Sequence, residues 1–228
     1  MEFKEKEFGK MVRKARLKQS GRIVGITLLL IVLITLISGG VFLNHYNYID
    51  VGNKDNPKVK GLPNNTIKAL DQRDGFLGLL FDFSGGFEMN GVAKEMTVYL
   101  DYYEKGTLKE KVEVLSVLPS EENKELNGTF YWGLSETNKK LSTSFSTTGG
   151  VSMNSGYDLT SFDLEGWQGG IAADSLEKGF DKSEKYLLYK LVYNEKNATS
   201  FFSDSKEEFK PKNIEKNDKL LLFYATFK

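Results

Sequence analysis

A stretch of 21 residues without an ionisable side chain constrains this 228-residue chain more than any other feature. It runs from Ile23 to Leu43 and reads IVGITLLLIVLITLISGGVFL. At about 1.5 Å of rise per residue it would form roughly 31 Å of helix, which matches the ~30 Å hydrocarbon core of a bilayer. A buried helix of a soluble protein is rarely so long and so uniformly apolar. The stretch therefore predicts one transmembrane α-helix over residues 23–43, with the lipid bilayer as its partner.

The charge on the two sides of this stretch is uneven, although the whole chain carries 31 basic and 31 acidic residues. Residues 1–22 hold eight basic and three acidic residues, so 23 basic and 28 acidic residues remain for residues 44–228. The positive-inside rule then predicts a single-pass plasma-membrane protein with a cytoplasmic N-terminus and an extracytoplasmic C-terminal region.

A cleaved signal peptide is the alternative interpretation of the same segment. Ser38 and Gly40 are small residues at the spacing of a cleavage site, after an apolar run of about 15 residues. The amino-terminal region is long for a signal peptide, however, and Val41 to Leu43 extend the apolar run past the cleavage site. These features favour an uncleaved anchor.

The basic tail, residues 1–22, can form a short amphipathic helix. Phe8, Val12 and Ala15 recur at helical spacing with Met11 beside them, and the acidic residues come early, as a helix dipole prefers. Two functions fit this pattern, which are contact with anionic lipid headgroups and docking to a cytoplasmic protein. The tail has no folded domain that could read nucleic acid, so its charge does not predict nucleic-acid binding. The residues predicted to contact a partner are Phe8, Met11, Val12, Arg13, Lys14 and Arg16.

The run from Phe8 to Arg22, FGKMVRKARLKQSGR, lies directly before the apolar helix. It resembles the N-terminal segment of the membrane-anchored sigma factor regulators of Gram-positive bacteria, in which a KKAKRKQ-like run precedes one membrane helix and an extracytoplasmic region. The resemblance covers about residues 3–46. It implies a bacterial regulator whose tail contacts a sigma factor. The tail lacks the larger zinc-associated domain with which many anti-sigma factors hold their target.

Beyond the apolar stretch, residues 44–66 are rich in Asn, Asp, Gly and Lys, contain Pro57 and Pro63, and predict a linker. Residues 67–228 alternate short apolar runs with turn residues, which predicts a mostly antiparallel β domain, either a β-sandwich or an α+β fold. A change of phase near Val114 indicates a bulge or burial on both faces. The predicted strands cover residues 76–83, 96–103, 107–118, 129–134, 141–147, 186–193, 199–203 and 219–227. The predicted helix is Ile171–Lys178, and residues 207–216 are predicted as a loop or one helical turn.

The composition excludes several kinds of chemistry. The chain has no Cys, and its one His, His45, lies at the membrane boundary, so thiolate catalysis and Cys- or His-cluster metal sites are excluded. None of the nucleotide-binding, hydrolase or EF-hand motifs is present. Asp82 and Asp101 lie inside strand patterns, where either could be a calcium ligand or a base, although a solvent-facing position is favoured. We therefore predict no enzyme activity, no cofactor and no metal.

Glycine-rich stretches at residues 84–86, 148–150 and 166–170 are predicted as turns. Trp132 lies within a strand pattern and is predicted to pack in the core. Trp167 lies between glycines, and it is the residue of the outer domain that we predict to contact a partner.

The prediction is therefore a single-pass membrane-anchored regulator or sensor. Its outer β domain binds a ligand or an envelope protein, and its tail contacts a cytoplasmic regulator such as a sigma factor. The alternative is a membrane-anchored envelope module that binds or supports another protein without signalling. A surface hydrolase that uses carboxylates is a third, less favoured hypothesis.

Overall fold

The computed structural model describes residues 2–49, 57–70, 80–119, 125–135, 137, 139–147, 150–162, 167–171, 178–194 and 209–228. The chain divides into two compact units, residues 1–49 and residues 50–228.

The first unit is one uninterrupted helix, α1 (Glu2–His45), which is 44 residues and about 66 Å long. The predicted membrane segment is helical, and the same helix continues through the predicted tail. Thr27 and Thr35 donate their hydroxyls to the carbonyls four residues earlier, at 2.9 Å each, so these polar groups are satisfied within the apolar segment. Among the described residues, α1 is the one helix long and apolar enough to cross a membrane. A single N-terminal helix of this kind suggests a membrane anchor or a signal sequence.

The helix ends in a Schellman motif at residues 43–48. Asn47 adopts a left-handed conformation with φ of 56°. The Tyr48 amide donates to the Leu43 carbonyl at 2.8 Å, and the Asn47 amide donates to the Asn44 carbonyl at 3.2 Å. These two bonds satisfy carbonyls that the end of a helix would otherwise leave without partners.

The second unit contains two antiparallel sheets. A six-stranded sheet has the order β7-β6-β5-β2-β1-β9, and a five-stranded sheet has the order β4-β3-β11-β10-β8. Helix α2 (Pro211–Glu215) immediately precedes the last strand. The strands are β1 (Thr66–Ala69), β2 (Phe83–Val92), β3 (Met96–Glu104), β4 (Thr107–Val117), β5 (Glu125–Ser135), β6 (Lys140–Thr147), β7 (Gly150–Asp158), β8 (Gln168–Ile171), β9 (Lys178–Gly179), β10 (Tyr186–Tyr193) and β11 (Lys219–Phe227).

The two sheets face each other across an aromatic core, as in a β-sandwich. The ring of Trp132 on β5 lies 5.7 Å from the ring of Phe223 on β11, and Phe87 on β2 lies 6.3 Å from Phe227. Trp132 is only 2% exposed, which confirms its predicted place in the core. Burial of aromatic rings from both sheets is the main force that holds the sheets together.

A smaller core lies on the outer face of the five-stranded sheet. It consists of Leu187, Val192, Leu220, Leu222 and Tyr224, with Phe209 and Ile214 packed against it. The last two residues flank or belong to α2, so the segment before β11 covers this face of the sheet. Burial on both faces explains why β10 and β11 are almost continuously apolar in sequence.

Most predicted strands of the second unit are confirmed. The predicted strands at 96–103, 107–118, 129–134, 141–147, 186–193 and 219–227 correspond to β3, β4, β5, β6, β10 and β11. The bulge near Val114 is also confirmed, because Val98 pairs with Leu115 while Tyr99 pairs with Glu113, which leaves Val114 as an extra residue. The helical turn within residues 207–216 is α2.

The predicted turn at residues 84–86 is wrong, because these residues pair with β5 inside β2. The predicted strand over 76–83 is also displaced, since β2 begins at Phe83 and residues 71–79 lie outside the described ones. Close packing explains why glycine occupies positions 85 and 86 of this strand. A Cβ on Gly85 would lie 2.9 Å from the Trp132 indole nitrogen, and one on Gly86 would collide with the Phe130 carbonyl. Glycine is required here by close approach rather than by a turn.

Two further predictions differ from the structure, and one strand was not predicted. Residues 168–170 form strand β8 rather than a turn, because they pair with β10. The predicted helix Ile171–Lys178 has both described ends in strands β8 and β9, and its residues 172–177 lie outside the described ones. Strand β7 was not predicted, because its sequence is rich in Ser, Asn and Gly. The predicted strand at 199–203 also lies outside the described residues.

The end of the predicted linker packs onto the six-stranded sheet. The Asn90 side chain accepts a hydrogen bond from the Val59 amide at 2.7 Å and donates to the Val59 and Leu62 carbonyls at 2.9 and 2.8 Å. Leu62 itself is buried. Residues 57–65 are therefore part of the folded unit.

Candidate functional site

The two carboxylates singled out in the sequence, Asp82 and Asp101, lie in different environments. In the part of the chain that the structure describes, no group of three or more His, Asp or Glu side chains could hold a metal ion. Asp82 is exposed just before β2. Asp101, in contrast, is 3% exposed in the middle of β3, so the preference for a solvent-facing Asp101 was wrong.

Asp101 is instead the centre of a buried hydrogen-bonded cluster on the outer face of the five-stranded sheet. Its Oδ2 accepts a hydrogen bond from the Tyr224 hydroxyl at 2.8 Å and one from the Tyr103 hydroxyl at 3.3 Å. Its Oδ1 has no hydrogen-bond partner among the described residues. The Lys111 ammonium lies 4.2 Å from the Tyr99 ring centroid.

The acidity of the two tyrosines follows from this arrangement. Burial, then the charge of Asp101 and the hydrogen bond to it, raise the pKa of Tyr103 to about 12. Burial, then the hydrogen bond to Asp101, also raise the pKa of Tyr224 well above its usual range. Both causes disfavour a phenolate beside a buried carboxylate. Tyr103 and Tyr224 therefore stay protonated at neutral pH and donate to Asp101. The cluster has a structural role, and it lies beneath the segment that carries α2.

A second cluster lies on the opposite, core-facing side of the same sheet, at the end where its strands meet solvent. Lys219 at the start of β11 pairs with Glu104 at the end of β3 and with Tyr193 at the end of β10. Trp167 directly precedes Gln168, which pairs with Val192 one residue before Tyr193. Four neighbouring strand ends thus place four side chains side by side, and we call this set the end row: Trp167, Tyr193, Lys219 and Glu104.

Ring contacts connect the end row with the edge of the core. Trp167 lies 6.4 Å from Tyr193 and 6.2 Å from Tyr102, between ring centroids. Tyr102 also meets Phe162 at 5.3 Å, a buried residue just after β7. One side of the aromatic group is therefore fixed by packing, while Trp167 and Tyr193 remain half-buried.

The two charges of the end row are neighbours but do not pair with each other. Within the described residues no ion pair joins Lys219 and Glu104, although their Cα atoms are in register on adjacent strands. The Lys219 ammonium lies 5.4 Å from the Tyr193 ring centroid, and the Tyr102 hydroxyl donates to one Glu104 oxygen at 2.5 Å. Both side chains are half-buried. The Lys219 ammonium can therefore donate further hydrogen bonds and the Glu104 carboxylate can accept them, beside the rings of Trp167 and Tyr193.

The predicted contact residues lie in both units of the chain. The tail residues Phe8 and Met11 lie on α1, with 66% and 64% of their surfaces exposed, and the nearby basic side chains are also exposed. Val12 is partly exposed. Trp167 belongs to the second unit and is a member of the end row. Whether these residues contact a partner stays a prediction.

The other three members of the end row, Tyr193, Lys219 and Glu104, were not predicted as contact residues. Each lies at the start or end of a strand that was predicted, so the local sequence pattern was sufficient to place each residue at or next to a strand end. The grouping depends on the strand order β3-β11-β10-β8, which joins distant parts of the chain. That order could not be obtained from the local patterns.

These features define the class of the protein: a single N-terminal apolar helix followed by a β domain of two antiparallel sheets. The chain belongs to the YgaN domain family, whose pattern matches residues 79–227. The chain matches none of the curated proteins and none of the solved structures with which it was compared. No named relative therefore supports the resemblance of the tail to sigma factor regulators.

Proposed function

We propose that this protein is a single-pass membrane sensor whose YgaN domain lies outside the cytoplasmic membrane. In this proposal the outer domain binds a ligand or envelope partner at the end row, and the basic tail contacts a cytoplasmic regulator. The observation that carries the proposal is the continuity of α1, which is about 66 Å long and twice the thickness of a hydrocarbon core. About half of the helix therefore extends beyond the membrane on its basic side.

The length of this extension favours a protein partner over lipid headgroups for the outer part of the tail. Lys14 and Lys10 lie nine and thirteen residues before Ile23, which is about 14 and 20 Å along the helix. Charges are screened within about 8 Å at physiological salt. Lipid attraction therefore acts mainly on the basic residues nearest the membrane, such as Lys18 and Arg22, while the outer ones face the cytoplasm.

The partner surface on the tail combines apolar and basic side chains. Phe8 and Met11 are about two-thirds exposed on the same side of α1 as Val12. An amphipathic helix of this kind docks in a groove with an apolar floor and an acidic rim. A sigma factor is the first candidate for the regulator because of the resemblance over residues 3–46. The proposal assigns no catalytic step to either unit.

Crosslinked pull-down from native membranes tests the regulatory half of the proposal. The test variant is Phe8→Ala combined with Met11→Ala, and the matched control is Leu17→Ala. Leu17 is 67% exposed on the opposite side of the same helix, so its replacement removes exposed apolar surface without changing the docking side. We expect wild type and the control to recover the same cytoplasmic regulator and the double variant to lose it.

The second candidate function is an anchored envelope module without signalling, and it rests on the half-buried end row alone. This alternative predicts that the tail double variant and the Leu17 control recover identical proteins. That result would overturn the regulatory role while leaving the binding role of the outer domain intact.

A further inference from the structure

We infer that the end row is a binding site for an uncharged oligosaccharide. The inference deepens the proposed function, because it names the ligand class of the proposed outer site. It starts from the side chains themselves: two half-buried aromatic rings, Trp167 and Tyr193, next to one ammonium and one carboxylate, Lys219 and Glu104.

The charges of the site favour a neutral ligand. Lys219 and Glu104 bring one positive and one negative charge to adjacent strands, so their sum is zero. An anionic ligand would meet the Glu104 carboxylate, and a cationic ligand would meet the Lys219 ammonium. Among the described residues, no group of three or more His, Asp or Glu side chains that could hold a metal ion lies here.

The hydrogen-bonding groups favour hydroxyls. Lys219 can only donate, and the ionised Glu104 can only accept. A hydroxyl both donates and accepts, so neighbouring hydroxyls of one sugar ring satisfy the two side chains together. A purely apolar ligand would bury the Lys219 ammonium and the second oxygen of Glu104 without a hydrogen-bond partner, which is unfavourable.

The aromatic rings supply the second half of the recognition. The C–H face of a pyranose ring is apolar, and it can pack on Trp167 and Tyr193 while its hydroxyls point toward Lys219 and Glu104. Four strand ends spaced by about 4.8 Å make a row roughly 14 Å long, which accommodates a short oligosaccharide rather than a single small solute. Tyr102, which packs on Phe162, contacts Trp167 from the core side, so this ring is positioned by packing before the ligand binds.

Calorimetry with the full-length protein tests this inference. The protein is kept in an amine-oxide detergent, because detergents with sugar headgroups would occupy the site. The probes are the neutral tetrasaccharides chitotetraose, cellotetraose and maltotetraose, with tetragalacturonate as the charged comparison. We expect at least one neutral probe to bind, and binding to shift the fluorescence of Trp167 while the buried Trp132 is unaffected.

Variants connect the binding to the proposed residues. We expect Trp167→Ala, and separately Lys219→Met, to weaken binding by about tenfold or more. Trp167→Phe keeps an aromatic face and is expected to retain part of the affinity, which separates loss of the ring from loss of the fold. The control is Tyr131→Ala, since Tyr131 is a half-exposed ring on the six-stranded sheet.

Three results would overturn the inference: no binding by any neutral probe at about 10 mM, preference for tetragalacturonate, or equal binding by wild type and Trp167→Ala. None of these results bears on the tail, which the pull-down tests separately. The ligand class and the proposed regulatory role therefore fail independently.

Discussion

The buried carboxylate of Asp101 makes a quantitative prediction about stability. The change Tyr224→Phe keeps the ring in the small core on the outer face of the five-stranded sheet and removes only the hydroxyl that donates to Asp101 at 2.8 Å. Hydrogen bonds to charged groups contribute about 1.5–3 kcal/mol. Because Oδ1 already has no partner among the described residues, the remaining donor would be Tyr103, at 3.3 Å. We expect the free energy of unfolding to fall by about 1.5–3 kcal/mol.

Thermal unfolding followed by Trp132 fluorescence measures this loss, since that indole is buried between the two sheets. For a domain of this size, the expected fall in midpoint is about 3–12 °C. Tyr131→Phe is the matched control and should change the free energy of unfolding by less than about 0.5 kcal/mol, because Tyr131 is half-exposed. In an Asp101→Asn background the cost of Tyr224→Phe should fall to about 1 kcal/mol, the value for a neutral hydrogen bond. Equal midpoints for Tyr224→Phe and Tyr131→Phe would refute the reasoning.

Three further predictions concern the backbone and the pH dependence. Gly86→Ala should lower the free energy of unfolding by about 1–3 kcal/mol in urea titrations, because its Cβ would collide with a backbone carbonyl, whereas Gly179→Ala has open space and should cost far less. The contribution of Tyr103, whose pKa is raised from 10 to about 12 in the folded state, should be fully present below pH 10 and lost as the pH rises toward 12. Tyr103→Phe should therefore lose less stability over that interval, and equal slopes for the two proteins would contradict the assignment. Asn47→Gly should preserve the left-handed residue that ends α1, while Asn47→Val should increase amide hydrogen exchange at Tyr48, and equal exchange in both would refute the motif.

The elements that the sequence predicted well are those in which local pattern and tertiary burial agree. The apolar stretch from Ile23 to Leu43 and the strands β3 and β11 carry a strong hydrophobic signal over their whole lengths. The bulge near Val114 was also visible, because an extra residue shifts the phase of the apolar positions.

The failures arise where a residue type serves packing rather than local conformation. Gly85 and Gly86 look like turn residues, but they allow β2 to approach Trp132 and β5. Strand β7 has little apolar periodicity, since it is an edge strand in which Val151 and Met153 are exposed. Local propensity cannot identify such strands, because their neighbours in the sheet determine their conformation.

The candidate site shows the same division between local and long-range information. Trp167 was singled out because it lies between glycines and because tryptophan is frequent at interfaces. Its partners Glu104 and Lys219 come from β3 and β11, which are separated by more than 100 residues in the chain. The charge neutrality of the end row, on which the ligand class depends, follows only from that pairing.

Cysteine accessibility is the measurement that tests the membrane arrangement most directly. The chain has no Cys, so Gln19→Cys and Leu118→Cys each introduce a single thiol, one in the tail and one at a 70% exposed position of the second unit. In intact cells, a membrane-impermeant maleimide should label the Leu118→Cys protein, and it should label the Gln19→Cys protein only after permeabilisation. Labelling of Gln19→Cys in intact cells would contradict the proposed orientation. A mature protein that lacks the Gln19→Cys thiol altogether would show that α1 is removed as a signal sequence.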